Sequence, residues 1–361
     1  MVTLKDIAKR AGVSSITVSR VANRSGYVGA ATRERVQAAI SELGYVPNQV
    51  ASSLRSRRSD LLALVLPDIT NSFWTTIARG VEDEAWAHGY SVFICNTDND
   101  PEKEAAYVES LLRRRVDGVL IVTTPDPGSE RQLERLHRQG MKFVVIHRTL
   151  RAPIADVVRS DAEGATRALT AALLQAGSRR IGYVGLPSSH PGSERRLIGF
   201  HEAMASAGRE TDPELIRIGA RDPADGYRMV TELLVGPVRP DAILLANSRL
   251  AIGGVRAITH AGLTIPDDIG VAAFHDTSAL DDYAPSLIRA VQPSYAMGQQ
   301  ATKMLLERTD RVDGEYREMV LPPRIFLPGS ESPEPVDSSD RERAGEGADA
   351  PNVVARAVKA S

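Results

Sequence analysis

The sequence predicts two structural classes in one chain: an all-α, three-helix helix-turn-helix head and an α/β body of two lobes built on doubly wound parallel sheets. Charge and periodicity point there together. Residues 1–58 hold ten Lys/Arg against three acids, a net +7, which leaves −9 for the rest of a chain whose total is −2. Residues 1–46 carry helical periodicity in short segments, whereas from Leu61 onward apolar runs of strand length alternate with amphipathic stretches. A length of 361 residues also exceeds one ordinary domain.

In the head, Leu4, Ile7, Ala8 and Ala11 recur at helical spacing behind Thr3 as N-cap and before Gly12 as stop. Ser14 caps a second helix running to about Asn23, with Val18 and Val21 turned inward. Gly12-Val13 is the tight connection of a helix-turn-helix. Thr32 is the expected cap of a third helix, whose stripe is Val36, Ala39, Ile40 and Leu43 and whose end is Gly44. Ser15, Ile16, Ser19 and Arg20 share the face of the second helix opposite Val18 and Val21. A guanidinium there can pair bidentately with guanine and Ile16 can meet a thymine methyl, while Ser14 and Thr17 suit phosphates.

Pro47 interrupts the third-helix pattern, and Gln49–Arg55 is too short to hold a helix alone. Ala51 and Leu54 lie at i, i+3, so once helical they share a face; two such segments at a dyad can push leucines between base steps. The segment is therefore expected to order on DNA. The whole run VTLKDIAKRAGVSSITVSRVANRSGYVGAATRERVQAAISELGYVPNQVASSLRS resembles, without a gap, the headpiece of the lactose-repressor (LacI) family of bacterial transcription regulators. The resemblance implies that Ser15, Ile16 and Arg20 read operator bases and that Leu54 is the minor-groove wedge. Asn23, Asn48, Ala51 and Arg55 complete the candidate DNA-binding set.

In the body, LLALVL (61–66), YSVFIC (90–95), VDGVLIV (116–122), KFVVI (142–146), RIGYVG (180–185), DAILLA (241–246) and IGVAAF (269–274) read as buried strands. Gly89, Gly140, Gly177, Gly208 and Gly262 end intervening stretches, where a left-handed residue stops a helix. Seven or more strands suit two lobes better than one. LPDITNSFW, RVDGVLIV, RRLIGF and VQPSYAMGQQATKMLLE resemble the same family's landmarks, which implies a periplasmic-binding-protein-like effector domain with a cleft and chain crossings near 161, 290 and 321. The expected organisation is a head at 1–46, a hinge at 47–58 and an effector domain at 59–330. Lobe 1 is about 59–160 and 291–320, and lobe 2 about 161–290 and 321–330. A Ser/Pro/Glu-rich tail at 331–361 is expected to be disordered, with no sign of a tetramerising zipper.

No phosphate-binding loop, nucleophile elbow or HExxH motif occurs, and the seven histidines show no i, i+4 pair. Asp98-Asn99-Asp100 lacks the glycine and glutamate of a calcium loop, and the single cysteine, Cys95, lies in an apolar strand. The expectation is no enzyme, no catalytic residue, no metal and no cofactor.

Ligands of open α/β sheets bind beyond the carboxyl ends of strands. That rule selects Phe73, Trp74, His147 and Arg148. The family resemblance adds Arg196, Asn247 and the landmark Ala273-Phe274-His275-Asp276, with His275 where an effector-binding Asp is usual and Ser248 where an Asp often follows the Asn. A gap-free carry-over puts Arg221 where an aromatic often stacks, and Asp161 or Asp276 can supply a carboxylate for a neutral sugar. Fewer acids and more donors favour an anionic effector, a sugar acid or sugar phosphate, over a neutral sugar.

The functional expectation is a cytoplasmic, homodimeric repressor of carbohydrate metabolism that binds a near-palindromic operator and is switched by a small metabolite. No membrane partner is expected, since no long apolar run or signal-peptide core is present. The alternatives are a small-molecule receptor without a DNA role, and an activator.

Overall fold

The computed structural model describes residues 2–22, 26–45, 58–188, 190, 192–274, 285–310, 314–329 and 354–357. They fall into two compact units, Met1–Ser59 and Asp60–Ser361.

The head holds α1 (Leu4–Ala11), α2 (Ser15–Ala22) and α3 (Ala30–Leu43). Thr3 and Asp6 form a reciprocal capping box on α1, and Gly12 ends that helix in the left-handed conformation. Ser14 caps α2, its Oγ accepting from the Thr17 N–H at 3.2 Å. The third helix departs from expectation: Gly29 is its N-cap, and Thr32 sits inside the first turn, donating its N–H to the Gly29 carbonyl. Ala30 and Ala31, strong helix formers, carry the helix back past the threonine. Ile7, Ala8, Ala11, Val18, Val36 and Ala39 form the small core, and Arg10 ties α1 to Glu42 of α3 at 2.8 Å.

The body opens with β1 (Leu61–Leu66), α4 (Ser72–Ala87), β2 (Ser91–Asn96), α5 (Pro101–Arg114), β3 (Gly118–Ile121), α6 (Gly128–Arg138), β4 (Phe143–Ile146) and β5 (Asp156–Ser160). It continues with α7 (Ala162–Gln175), β6 (Ile181–Gly185), α8 (Ser193–Ser206), β7 (Ile216–Ile218), α9 (Pro223–Val235), β8 (Ala242–Leu245), α10 (Ser248–His260), β9 (Gly270–Phe274) and β10 (Ile288–Val291). Last come α11 (Ser294–Asp310), β11 (Arg317–Leu321), β12 (Arg324–Phe326) and β13 (Val354–Ala357). The seven runs expected as strands are strands; β5, inside the stretch RAPIADVVRS, is one that alternation did not single out.

One sheet has the order β13-β11-β5-β4-β3-β1-β2 and the other β12-β10-β9-β8-β6-β7. Pairing is parallel except where β12 meets β10 and β13 meets β11. Both faces of each sheet are covered. Along β1, Leu62, Leu64 and Leu66 join the core under α4 and α11, while Ala63 and Val65 join the one under α5 and α6. The second sheet is sandwiched likewise between α9/α10 and α7/α8. The five glycines read as helix stops all have positive φ, from 65° to 103°.

The chain leaves the first sheet after β5, returns to pack α11 on it after β10, and crosses again between β11 and β12. Val354–Ala357, inside the segment expected to be disordered, pairs antiparallel with β11. The unpaired backbone of an edge strand is a template for such addition. Among the described residues no helix is long and apolar enough to cross a membrane.

Candidate functional site

On α2, Ile16 is 67% exposed and Arg20 is exposed, with Ser15, Thr17 and Ser19 partly so. This is the face left over once Val18 is buried. Ser14 is occupied as a cap, its Oγ lying 3.0 Å from the Thr17 Oγ1. Gly26 leaves room for the Arg20 stem, whose Cδ is 3.6 Å from where a Cβ would stand. Next to it Tyr27, missed in the sequence, is 92% exposed; its hydroxyl is a donor of the kind that contacts phosphates. Asn23, Asn48, Ala51, Leu54 and Arg55 lie outside the described residues.

In the body the two sheets share one logic. Strand order reverses between β1 and β3 in the first and between β6 and β8 in the second, and a crevice forms where connections diverge. A cavity of about 410 Å³ lies there, lined from both lobes. Its walls bring together Phe73, Trp74, His147, Arg148, Arg196, Arg221, Asn247 and Ser248 of the expected set. Asp161 is not among them. Its side chain caps α7, accepting from the Gly164 N–H at 3.0 Å, so the carboxylate expected to meet an effector serves the helix instead. His275 and Asp276 lie outside the described residues.

Helix caps aim several of these groups. Asn71 caps α4 by accepting from the Phe73 N–H, which sets Phe73 and Trp74 in the first turn. Asn247 caps α10 through its carbonyl oxygen, leaving its NH₂ as a donor. Phe73, Trp74 and His147 pack edge to face, with centroids 4.6, 4.9 and 5.4 Å apart. His147 has φ 58°, a strained backbone for a non-glycine residue, and its Nδ1 is buried without a hydrogen-bond partner. Burial, then Arg148 and Arg196, hold its imidazole well below the usual histidine range, so the ring is neutral.

Arg148 is 4% exposed. It donates to the Thr123 and His147 carbonyls, each at 3.1 Å, with its guanidinium 5.9 Å from the Trp74 ring. Burial and Arg196 push it down to about 10, against the pull of Glu104. Glu104 is fully buried, accepts from the Thr124 N–H at 2.5 Å, and is raised by burial. Arg196, 3% exposed, sits 4.6 Å over the Phe274 ring and donates to the Gly192 carbonyl.

Sequence reading missed Asp68, Arg249, Gln292 and His190 in the lining. Arg249 of lobe 2 reaches Asp68 of lobe 1 at 3.4 Å, an ion pair across the cleft. Asp68 closes LLALVLPD and was legible as a strand-end residue; Gln292 likewise follows β10. Cys95 is fully buried, its thiol pushed up to about 11 by burial. Among the described residues no group of three His, Cys, Asp or Glu can hold a metal ion.

Two family descriptions match the chain: bacterial regulatory proteins of the lacI family over residues 3–48, and periplasmic binding proteins and sugar binding domain of the LacI family over 59–327. A ribose operon repressor of Halalkalibacterium halodurans is 35% identical over 329 residues, 91% of this chain and 96% of that protein. The HTH-type transcriptional repressor PurR of Haemophilus influenzae is 32% identical over 330 residues, 91% and 98%. A crystal structure of the lac repressor dimer bound to operator and the anti-inducer ONPF superposes with a TM-score of 0.80 at 29% identity, covering 90% of this chain and 97% of that one.

Proposed function

Because the chain belongs to the LacI family, and so is a DNA-binding transcriptional regulator with an effector-binding domain, we propose that it is a homodimeric repressor whose effector carries an oxyanion, a sugar acid or a sugar phosphate. One observation carries the effector class. Arg148, Arg196, Arg221 and Arg249 line the cavity against a single described carboxylate, Asp68, which Arg249 already pairs. A neutral sugar would leave buried guanidinium groups facing hydroxyls; an oxyanion gives them charge-assisted hydrogen bonds.

The dimer reading is supported by apolar surface on lobe 1. Phe93 and Ile94 are exposed on β2, an edge strand, and Trp86 of α4 is 70% exposed. Two heads on such a dimer would hold two half-sites, with Ile16 and Arg20 reading bases.

The test starts from DNA selected by the purified protein from random sequence, followed by a thermal-shift screen of sugars, sugar acids and sugar phosphates. Stabilisation by acids or phosphates, and a changed affinity for the selected DNA when they are added, is the expected result. Stabilisation by neutral sugars alone would remove the effector proposal and leave the regulator standing.

A further inference from the structure

A second cavity of about 40 Å³ adjoins the first, sharing His147, Arg148 and Arg196 with it. Its own walls include Arg159 and Ser160 from lobe 1 and Gly192 and Arg195 from lobe 2. It has room for about three or four waters and not for a sugar ring, a size that suits a small terminal group such as a carboxylate or a phosphate.

Ser160 ends β5, is 3% exposed, and its buried Oγ has no hydrogen-bond partner. A hydroxyl desolvated without a partner is unfavourable, and here it lines a chamber. The His147 Nδ1, buried and without a partner, belongs to a ring on the same wall. Helix α8 (Ser193–Ser206) has Gly192, on this chamber, as its N-cap, and no side chain caps it, so its first N–H groups face the chamber side while Glu194 is the one acid of its first turn. Its position is fixed by close packing, because a Cβ on Gly199 would collide with the Glu163 carbonyl of α7.

The cations divide into two kinds. Arg159 is held by Glu318 at 2.5 Å, and the half-exposed Arg195 reaches Glu163 at 3.5 Å. Arg148, by contrast, donates to the backbone carbonyls of Thr123 and His147.

We propose that the effector is bipartite: a hydroxylated body occupies the large cavity, and a terminal oxyanion enters the small one between Arg148, Arg196 and the Ser160 hydroxyl. This inference rests on the oxyanionic-effector reading and adds where the anion goes. The placement also explains switching. The small chamber is walled by β5 of one lobe and α8 of the other, so an anion in it is bound best at one interlobe angle and biases that state.

The test uses full-length protein and isothermal titration with glucose, fructose and ribose, each as free sugar, terminal phosphate and aldonic or ketonic acid. The same titrations are run on Ser160→Ala, Arg195→Gln and Arg221→Gln, with urea unfolding to check that each variant folds. The expected result is that an anionic probe binds the parent protein and binds Ser160→Ala about tenfold more weakly. Arg195→Gln is expected to lose about threefold, and Arg221→Gln less than either. Binding by phosphates alone or by acids alone supports the proposal and identifies the group. If an anionic probe binds Ser160→Ala and Arg195→Gln as it binds the parent but is lost from Arg221→Gln, the anion sits at the other side of the cleft and the inference falls while the anionic reading stands. If no anionic probe binds the parent, both fall.

Discussion

Two arginine clusters in the effector domain have opposite surroundings. At one end of the first sheet, fully buried Asp156 accepts both Nε and Nη2 of Arg308 at 2.8 Å and the Arg317 N–H at 2.7 Å. Arg308 also donates to the carbonyls of Gly314 and Glu315, and the pairing with Asp156 raises its guanidinium above the ordinary range. At the cleft, Arg148 donates to two carbonyls and is lowered to about 10 by burial and by Arg196. A bidentate carboxylate makes the first group part of the framework, joining β5, α11 and the approach to β11. Arg148 in the second group donates to neutral carbonyls, and in the proposed reading an effector oxyanion supplies its counter-charge. Charge thus holds the lobe together in one place and, in the proposed reading, receives the effector in the other.

The sharpest way to break this contrast is to remove the acid from the first group. Asp156→Ala leaves the largely buried Arg308 with only backbone carbonyls as partners and is expected to cost about 3 kcal/mol of stability, read as a fall in the urea midpoint. Arg148→Met should behave differently. It removes no bidentate carboxylate pair and costs the donors of two backbone carbonyls, so the unliganded midpoint should fall by about 1–2 kcal/mol, less than for Asp156→Ala. Anionic effector affinity should fall between about tenfold and a hundredfold, measured by titration calorimetry. A loss of stability as large as that of Asp156→Ala would show that both groups are structural.

A pH series sharpens the cleft side. His147 is held neutral, its folded value below the unfolded one. Above about pH 6.5 both states are neutral there and it contributes nothing. As pH falls below that value, the unfolded chain takes up a proton that the folded one refuses, and stability falls by up to about 1.4 kcal/mol per pH unit. Glu104, raised by burial, has the opposite sign at lower pH, so the informative quantity is the difference between the parent and His147→Phe. The variant's urea midpoint should be flatter between pH 7.5 and 5. The smallest effect is expected for Asp68→Asn, which removes the cross-cleft pair with half-exposed Arg249. Such pairs contribute about 0.2–1 kcal/mol, and effector affinity should shift by no more than about fivefold.

Legibility followed the range of the interaction. Helix stops at Gly89 or Gly262 are set by local backbone preference and were readable. So was the exposed face of α2, fixed by the burial of Val18. The cap at Thr32 was misread because two alanines upstream let a glycine serve. Strand-end residues such as Phe73, His147 and Asn247 were readable through topology, since parallel sheets place those ends in a crevice. Asp161 follows a strand too, but its side chain is committed to Gly164, a choice between cap and ligand that spacing does not reveal. The Arg249–Asp68 pair joins positions 181 residues apart, and the chamber at Ser160 needs β5 and α8 brought together across a lobe boundary. Only the fold assembles those.

An oxyanion bound among these arginines is expected to alter DNA affinity. The most direct measurement is fluorescence anisotropy of the selected operator at one fixed salt concentration, with and without the anionic compound that binds best, for the parent protein and Arg148→Met. The expected result is a shift of at least about fivefold in operator affinity for the parent and none for the variant at the same ligand concentration. An equal shift in both proteins, or none in the parent at saturating ligand, would contradict it.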